Sequence, residues 1–231
     1  MSVALQIIIS IVFGYLVGSI NSSYIIAKIK GFDIRSAGSR NAGGSNAVIT
    51  MGKFIGVLCC LFDIFKAYFV IKLCMHLFPE CAAVYGCTAV AAILGHMFPF
   101  YMGFKGGKGL ACLGGAMMAY SKPLFLIILA VEIVLVLIAD FICVAPITAS
   151  VGYPVIYGVL SHNVVSACIL LIATAAMLYK HMENLHRIKQ GTELHFSYLW
   201  HKDAEKERIK ANVGRIDESQ VSTVWRDGDE D

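Results

Sequence analysis

The sequence predicts an all-α integral membrane protein, a bundle of about seven transmembrane helices with polar motif loops on its cytoplasmic side. Hydrophobic residues make up 58% of the 231-residue chain and charged residues only 15%, which is more apolar surface than a soluble domain can bury. Uncharged stretches cover residues 3–27, 81–104 and 141–179. About 20 apolar residues are enough to cross a bilayer.

Seven spans are expected along the chain. The stretch 141–179 is long enough for two helices, with a turn at Ser161, His162 and Asn163. The stretch 109–121 is short and rich in glycine, which predicts a thin or tilted helix. If it only dips into the membrane, the count is six. The expected spans are 4–27, 54–77, 82–100, 109–121, 124–140, 145–160 and 164–179.

Basic residues follow alternate spans. All but three of the 19 Lys and Arg residues lie in 28–53, in 105–108 or after residue 179. Because basic loops stay cytoplasmic, we expect the N-terminus outside and the C-terminus inside the cell. The first stretch lacks a basic segment and a clear cleavage site, which favours a retained helix over a signal peptide. The positive charge thus has a topological explanation, and no nucleic-acid partner is implied.

We expect a membrane domain over residues 1–200 and a charged cytoplasmic tail over 201–231. Low apolar content in the tail is typical of a frayed helix or of disorder. The eight cysteines are scattered, without a CxxC pair or a histidine at metal-ligand spacing, so they are interpreted as packing residues. No metal or cofactor is expected.

Three unusual segments lie on the side predicted to be cytoplasmic. The first, "RSAGSRNAGGSN" (residues 35–46), combines glycines with serine, asparagine and arginine. Glycine allows a ligand to approach the backbone closely, and the polar side chains supply hydrogen bonds and charge. This is the chemistry of an anion site, although an ordinary loop is the alternative. Its candidate ligand-binding residues are Ser39, Arg40, Asn41, Gly43 and Asn46.

The second segment, "GFKGGKG" (residues 103–109), resembles a phosphate-binding loop in composition. It is not a Walker A motif, because Gly109 and not Ser or Thr follows Lys108 and no strand precedes it. The segment leads into the fourth span, and the start of a helix suits a phosphate. The alternative is a glycine-rich turn whose lysines anchor it at the interface. Its candidates are Lys105, Gly106, Gly107, Lys108 and Gly109.

The third segment, "KHMENLHRIKQGTE" (residues 180–193), continues from the last span. On a helix, His181 and Asn184 share one face. A histidine and an amide at the membrane edge could orient or deprotonate a hydroxyl group. The alternative is an amphipathic helix that lies on anionic lipid.

Several polar residues lie inside predicted spans. Asp63 and Lys66 are three residues apart, so an ion pair within one helix is expected near its cytoplasmic end. His96 is interpreted as a helix-end contact. Glu132 has no partner nearby in the sequence.

Together, the segments resemble the acyl-phosphate-dependent glycerol-3-phosphate acyltransferases (the PlsY family) over nearly the whole range 18–193. The resemblance rests on "GSINSSYIIAK", "FDIFKA", "GHMFPFYMGFKGGKG" and "HMENLHRI" with a later Gly-x-Glu. It implies a bacterial plasma-membrane enzyme of phospholipid synthesis. Such an enzyme moves an acyl chain from acyl phosphate to the sn-1 hydroxyl of glycerol 3-phosphate, giving lysophosphatidic acid and phosphate.

The resemblance also implies residue roles. Ser39, His181 and Asn184 match residues that take part in catalysis, and Glu193 matches a mainly structural position. The family arginine of the first motif falls on Ile49, whereas Arg40 stands where the family has glycine. We therefore expect the Arg40 side chain to reach the same phosphate from a new backbone position.

Such a reaction needs no metal, ATP or covalent enzyme intermediate, because phosphate is a good leaving group. The site must bring two anionic substrates together, and Arg40, Lys105 and Lys108 can neutralise their charge. The hydroxyl proton passes either to His181 or to a substrate phosphate oxygen, and the sequence leaves both routes open.

Two other classes of protein compete with this prediction. A small transporter for a phosphorylated solute would explain the intramembrane charges and the glycine-broken spans. The unusual polar residues, however, gather on one side of the membrane and not at its midplane. A non-catalytic scaffold would explain the tail but not the Gly/Lys and His/Asn segments.

Overall fold

The computed structural model describes residues 1–213, and this part of the chain is helical, with short 3-10 turns and no strand. The predicted all-α class is confirmed. The helices are α1 (Val3–Ser19), α2 (Ser22–Ile29), α3 (Gly44–Met51), α4 (Lys53–Leu77), α5 (Val84–Met97), α6 (Leu110–Tyr120), α7 (Lys122–Ala139), α8 (Val144–Ser161), α9 (Val164–Lys189) and α10 (Lys202–Val213).

A break that the sequence did not predict divides the first span into α1 and α2. Asn21 caps α2, since its side-chain oxygen accepts from the Tyr24 N–H at 2.8 Å. Its side-chain nitrogen donates to the Ala42 carbonyl, also at 2.8 Å. The Ile20 carbonyl accepts a hydrogen bond from Lys66 Nζ at 2.5 Å. The break therefore connects the end of α1 to α4 and to the first motif segment.

Helices α1 and α5 pack closely because α1 presents glycines at the contact. Gly14 lies against Thr88, and Gly18 lies against the backbone of Ala92. Small residues let transmembrane helices approach each other in this way. Because both positions advance together along the two helices, α1 and α5 run parallel.

Within residues 1–213, six helical segments are long and apolar enough to cross a bilayer, and α6, with 11 residues, is shorter. At its start, Gly109 lies beside Met97 at the end of α5. Further along, the Ala116 carbonyl accepts a hydrogen bond from the Tyr85 hydroxyl, near the start of α5, at 2.8 Å. Helix α6 therefore runs antiparallel to α5 and lies beside nearly the whole length of α5. The described chain makes six long passes and one short pass, close to the predicted count of about seven.

Contacts at the helix ends give the direction of the remaining passes. The Asn163 side chain donates to the Ala82 carbonyl at 2.8 Å, so α9 starts beside the start of α5. The Phe196 N–H donates to the Asp140 carbonyl at 2.7 Å, so the end of α7 lies beside the segment that follows α9. Helices α1, α5, α7 and α9 thus all end at the same face, which we call the motif face because the three segments lie there.

Helix α10 begins within the predicted tail. Its residues Glu205 and Ile209 are buried, at 6% and 2% exposure, so this part of the tail packs on the motif face. The rest of the tail, residues 214–231, lies outside the described residues.

Candidate active site

In the first motif segment, a buried asparagine organises the loop. Asn46 is fully buried, and its side-chain nitrogen donates to the carbonyls of Ile34 at 2.8 Å and Ala37 at 3.0 Å. Its side-chain oxygen accepts from the Ser39 N–H at 2.7 Å. Asn46 thereby fixes the backbone around Ser39. The last three residues of the segment, predicted only as a loop, form the start of α3 (Gly44–Met51).

Arg35 connects the first segment to the second. Its guanidinium forms an ion pair with Asp33 at 2.8 Å and donates to the Met102 carbonyl at 2.7 Å. The hydrogen bond and charge of Arg35 lower the pKa of Asp33 to about 2. The pair stays ionised across the physiological pH range. Through this ion pair and its hydrogen bond to the Met102 carbonyl, Arg35 holds the first and second segments together.

The second segment folds back onto the end of α5. The N–H groups of Gly106 and Gly107 donate to the carbonyls of Met97 and His96, both at 3.0 Å. A Cβ on Gly107 would overlap the His96 ring, so glycine is required there by close approach. Gly109 precedes α6 with a φ of 93°, a left-handed conformation that favours glycine.

A buried charged cluster lies beneath this loop. Lys66 Nζ lies 2.7 Å from an Asp63 carboxylate oxygen, which confirms the predicted ion pair. His96 adds a third member, with its Nδ1 3.2 Å from Lys66 Nζ. All three side chains are at most 6% exposed. Such groups are stable in a protein interior only when paired, and the cluster gives the glycine loop a fixed base.

The third segment supplies a chain of polar contacts to the second. Lys108 Nζ donates to the Asn184 side-chain oxygen. The Asn184 nitrogen donates to one Glu193 oxygen at 2.6 Å, and Arg187 Nε donates to the other at 2.6 Å. His181 is 3% exposed, and the Asn184 side chain lies close enough to interact with its ring. Neither ring nitrogen makes a hydrogen bond of good geometry within residues 1–213, so the ring can contact a ligand.

The electrostatic environment of Lys108 is unusual for a lysine. Burial and the positive charge of Arg187 lower its pKa from 10.5 to about 8, although Glu193 and Glu183 act in the opposite direction. The ammonium group is thus charged at neutral pH but lacks a full complement of counter-charge. Such a group favours the binding of an anion.

A cavity of about 480 Å³ joins the polar groups to a lipid-side groove. Its polar end is lined by Lys108, Gly109 and the start of α6, whose first N–H groups have no partner within the helix. Its other end runs between α6, α7 and α8 and is lined mainly by aliphatic and aromatic side chains, with Glu132 as the acidic exception. The predicted residues that line this cavity are Ser39, Asn41, Gly43, Lys108, Gly109, His181, Asn184 and Glu193.

A second, more polar cavity of about 710 Å³ adjoins the first, since both are lined by Ser39, Asn41 and Lys108. It also contains Arg40, Lys105, Gly106 and the cations Arg35 and Lys180. Arg40 was expected to take over the role of the family arginine, whose position is occupied here by Ile49. The two residues line different cavities, however: Ile49 lines the 480 Å³ cavity and Arg40 lines the 710 Å³ cavity. Gly107 and Asn46 line neither and fix the backbone.

Some residues of the site were not predicted from the sequence. One of them is Arg187, which is 7% exposed and lines the 480 Å³ cavity. Leu194 and Phe196 also line the 480 Å³ cavity, and no sequence pattern around them indicates this. Glu132 lies on the groove side of α7 and accepts from the Thr148 hydroxyl at 2.6 Å. In the sequence, only the position of Glu132 within a predicted span indicated a functional role, because its partner Thr148 is on another helix.

A multi-pass membrane protein with cations and free amide groups at the mouth of an apolar groove is a protein that handles an anionic lipid or its precursors. The sequence model of the family described as "Glycerol-3-phosphate acyltransferase" matches residues 8–191. The chain belongs to this family.

Relatives and solved structures agree with this assignment. The chain is 34% identical over 186 residues to the glycerol-3-phosphate acyltransferase of Aquifex aeolicus, covering 80% of this chain and 97% of that protein. It is 36% identical over 198 residues to that of Clostridioides difficile, covering 84% and 96%. It is also similar to the crystal structure of PlsY (YgiH), an integral membrane glycerol 3-phosphate acyltransferase, in its glycerol 3-phosphate form. The TM-score is 0.77 at 33% identity, covering 84% of this chain and 96% of that chain.

The same structural relative in its lysophosphatidic acid form gives a TM-score of 0.75. Membership of the family confirms the predicted resemblance and the prediction of a membrane-bound acyltransferase. It does not favour the transporter alternative.

Proposed function

We propose that this enzyme transfers a fatty acyl group from acyl phosphate to the sn-1 hydroxyl of glycerol 3-phosphate, releasing lysophosphatidic acid and inorganic phosphate. The observation that carries the proposal is the shape and lining of the 480 Å³ cavity, with cations and amide groups at one end and an apolar groove at the other. The relatives' names identify glycerol 3-phosphate as the acceptor for those proteins. The groove fits an acyl chain.

The two phosphate groups would lie where the two cavities meet. Lys108 lines both cavities and binds one phosphate, together with the free N–H groups at the start of α6. Arg40 and Lys105 line the more polar cavity and neutralise the other. Bringing both anions to adjoining sites supplies the orientation on which the rate depends.

The transfer has a simple atomic balance. The acceptor hydroxyl oxygen attacks the acyl carbon, the bond from that carbon to the phosphate oxygen breaks, and phosphate leaves. A substrate phosphate oxygen takes the hydroxyl proton. In this scheme Ser39, Asn184 and His181 orient the reacting groups by hydrogen bonds. A side chain that acts as general base is usually oriented by a third group such as a carboxylate, and within residues 1–213 neither His181 ring nitrogen makes a hydrogen bond to a carboxylate or a backbone carbonyl.

The proposal also places the motif face in the cytoplasm of a bacterial cell. The excess of Lys and Arg on that face supports this orientation, with the N-terminus outside. Cysteines introduced at positions 2 and 105 of a cysteine-depleted chain would test it. A membrane-impermeant maleimide should label position 2 in intact cells, and position 105 only after permeabilisation. The reverse pattern would overturn the orientation.

Donor identity is tested with purified protein and radiolabelled glycerol 3-phosphate. The same palmitoyl group is offered as acyl phosphate, as an acyl-carrier-protein thioester and as a coenzyme A thioester. We expect labelled lysophosphatidic acid and stoichiometric phosphate from acyl phosphate alone, and little product from the Lys108→Met control. Product from a thioester alone would overturn the donor assignment, and no product from any donor would overturn the activity.

A further inference from the structure

Arg208 makes an extensive set of contacts on α10. Its guanidinium donates to the Gly191 carbonyl and to the Glu193 carbonyl, each at 2.6 Å. It also donates to both carboxylate oxygens of Glu205, at 2.9 and 2.6 Å. Asn212 donates to the same Gly191 carbonyl at 2.9 Å. One side chain thus contacts the backbone on both sides of Thr192.

The contacted backbone, residues 191–193, is called the GTE strap here. It begins at Gly191, whose φ of 70° turns the chain after α9. The N–H groups of Thr192 and Glu193 both donate to the Arg187 carbonyl, at 2.8 and 3.2 Å. The strap ends at the carboxylate that contacts Asn184 and Arg187 inside the cavity.

A continuous series of contacts therefore joins α10 to the phosphate-binding lysine. Arg208 contacts the Glu193 carbonyl, the Glu193 carboxylate contacts Asn184, and Asn184 contacts Lys108. Glu205 adds a second connection, because its carboxylate accepts from the His195 N–H at 2.8 Å. The family match ends at residue 191, so α10 lies beyond the matched region.

We propose that Arg208 is a positioning residue for acyl transfer: it fixes the GTE strap so that Glu193 keeps Asn184 and Lys108 directed at the substrate phosphate. The proposal rests on the proposed function for its kinetic consequence. A guanidinium suits this role because its planar fork donates to several acceptors at fixed angles. Arg208 does not line the 480 Å³ cavity and is not assigned a chemical step.

A pH profile separates positioning from mere stabilisation of the fold. Glu193 is one of the groups that favour the charged form of Lys108. If loss of Arg208 lets Glu193 move away, the pKa of Lys108 falls below about 8, and kcat/KM for glycerol 3-phosphate declines at lower pH than in the wild type. The charged or titratable groups that face Lys108 are Arg187, Glu193, Glu183, Cys143 and His181.

The test compares Arg208→Ala and Arg208→Lys with Lys210→Ala, which removes a charge from an exposed position of the same helix. We expect Arg208→Ala to lower kcat/KM about 10- to 100-fold, since displacement of catalytic groups by about 1 Å has effects of this size. Its alkaline limb should move to lower pH. Arg208→Lys should be intermediate in both respects, and Lys210→Ala should match the wild type.

An alkaline limb that stays in place in both Arg208 variants would overturn the proposal, even if activity falls. If Arg208→Ala does not fold, Arg208→Lys decides by the same criterion. Calorimetric titration of the intact proteins with glycerol 3-phosphate at several pH values distinguishes failure of the positioning role from failure of the proposed function.

A wild type that binds glycerol 3-phosphate but transfers no acyl group contradicts the proposed activity alone. In that case weaker, pH-shifted binding by Arg208→Ala still supports the positioning role, and unchanged binding contradicts it.

Discussion

Helices α5 and α7 both contribute to the lining of the site but face different surroundings. In its most apolar stretch, 72% of the α5 segment is buried, compared with 6% for α7. Helix α5 is rich in alanine and glycine and packs against α1, α4 and α9. Leucine, isoleucine and valine make up 12 of the 18 residues of α7, and most of its surface is left for lipid.

This difference divides the site into a phosphate-binding part on the α5 side and an acyl-chain part on the α7 side. The glycine loop rests on the end of α5 and on the buried Asp63–Lys66–His96 cluster, where side chains cannot move far in a close-packed interior. The groove along α7 is apolar and open to the bilayer. From Phe125 to Leu137 it extends about 18 Å along the helix, slightly more than one leaflet of about 15 Å. Changes on the α5 side should therefore affect chemistry, and changes on the α7 side should affect chain preference.

The largest effect is expected from Gly107→Ala, on the α5 side. The added methyl group overlaps the His96 ring, and His96 is fixed by Lys66 and Asp63, so the loop must move. We expect kcat/KM to fall by about 100-fold or more, because the displaced loop carries Lys108. Gly152→Ala is the matched control, since nothing lies within 4 Å of its Cβ position. Gly107→Ala with normal kinetics would show that the α5 side is more adaptable than its packing indicates.

Lys108, at the junction of the two sides, should give a characteristic pH dependence. Its pKa of about 8 means that the ammonium group is present below that pH and lost above it. We expect kcat/KM for glycerol 3-phosphate to fall as the pH rises through about 8. Lys108→Arg should abolish this decline, because a guanidinium stays charged. Lys108→Met should lose about 10- to 100-fold, the range for a charge-assisted hydrogen bond.

Stability should change in the opposite direction over the same pH range. The folded-state pKa of Lys108 lies below the ordinary lysine value of 10.5, so the unfolded chain binds more protons between about pH 8 and 10.5. The contribution of Lys108 to the free energy of unfolding therefore rises with pH in this window. Thermal unfolding of the wild type and Lys108→Met should diverge there. Parallel stability curves would contradict the low pKa.

His181→Gln should have a smaller effect, about tenfold on kcat. Glutamine keeps one hydrogen-bonding group near the substrate but cannot act as a general base. We expect the acidic limb of the pH–rate profile to persist in this variant, because it belongs to the substrate phosphate, whose second pKa is near 6. Disappearance of that limb, or a drop in turnover by about 100-fold or more, would identify His181 as the base.

Much of this division could be predicted from the sequence, because it depends on local patterns. The apolar stretches predicted the passes, and the basic residues predicted that the three segments share a face. The Asp63–Lys66 pair follows from helical spacing alone. His96 joins that pair through a contact between α4 and α5, which no spacing rule gives. The break at Ile20 was missed for the same reason, since its carbonyl is satisfied by Lys66 on another helix.

Long-range contacts also explain what was missed within the site. Arg187 lies two residues before Lys189 in a basic stretch and is indistinguishable from a surface residue until Glu193 is placed beside it. Asn46 looked like a ligand-binding residue by composition. The structure assigns its side chain to three backbone groups of its own segment, and its predicted contact with a substrate remains untested.

Arg40→Ala tests whether the first segment contributes charge, and its expected effect is a few-fold increase in KM for glycerol 3-phosphate. Arg40 is exposed and lines the more polar cavity, where water screens its charge. The effect should decrease at high salt. An unchanged KM at low salt would contradict the expectation that Arg40 replaces the arginine that the family resemblance implies at the position of Ile49.

The smallest effect on overall rate, and the sharpest test of the α5–α7 comparison, is expected from Leu129→Trp. Leu129 lines the groove, so the larger side chain should shorten the space for the acyl chain. We expect a several-fold shift from C16 and C18 acyl phosphates toward shorter chains, with each excluded CH₂ worth about 0.8 kcal/mol. The KM for glycerol 3-phosphate should stay constant. Ile138→Trp, on the same helix but 78% exposed and outside the groove, should leave chain preference unchanged. Equal effects of the two tryptophans would mean that the acyl chain does not lie along α7.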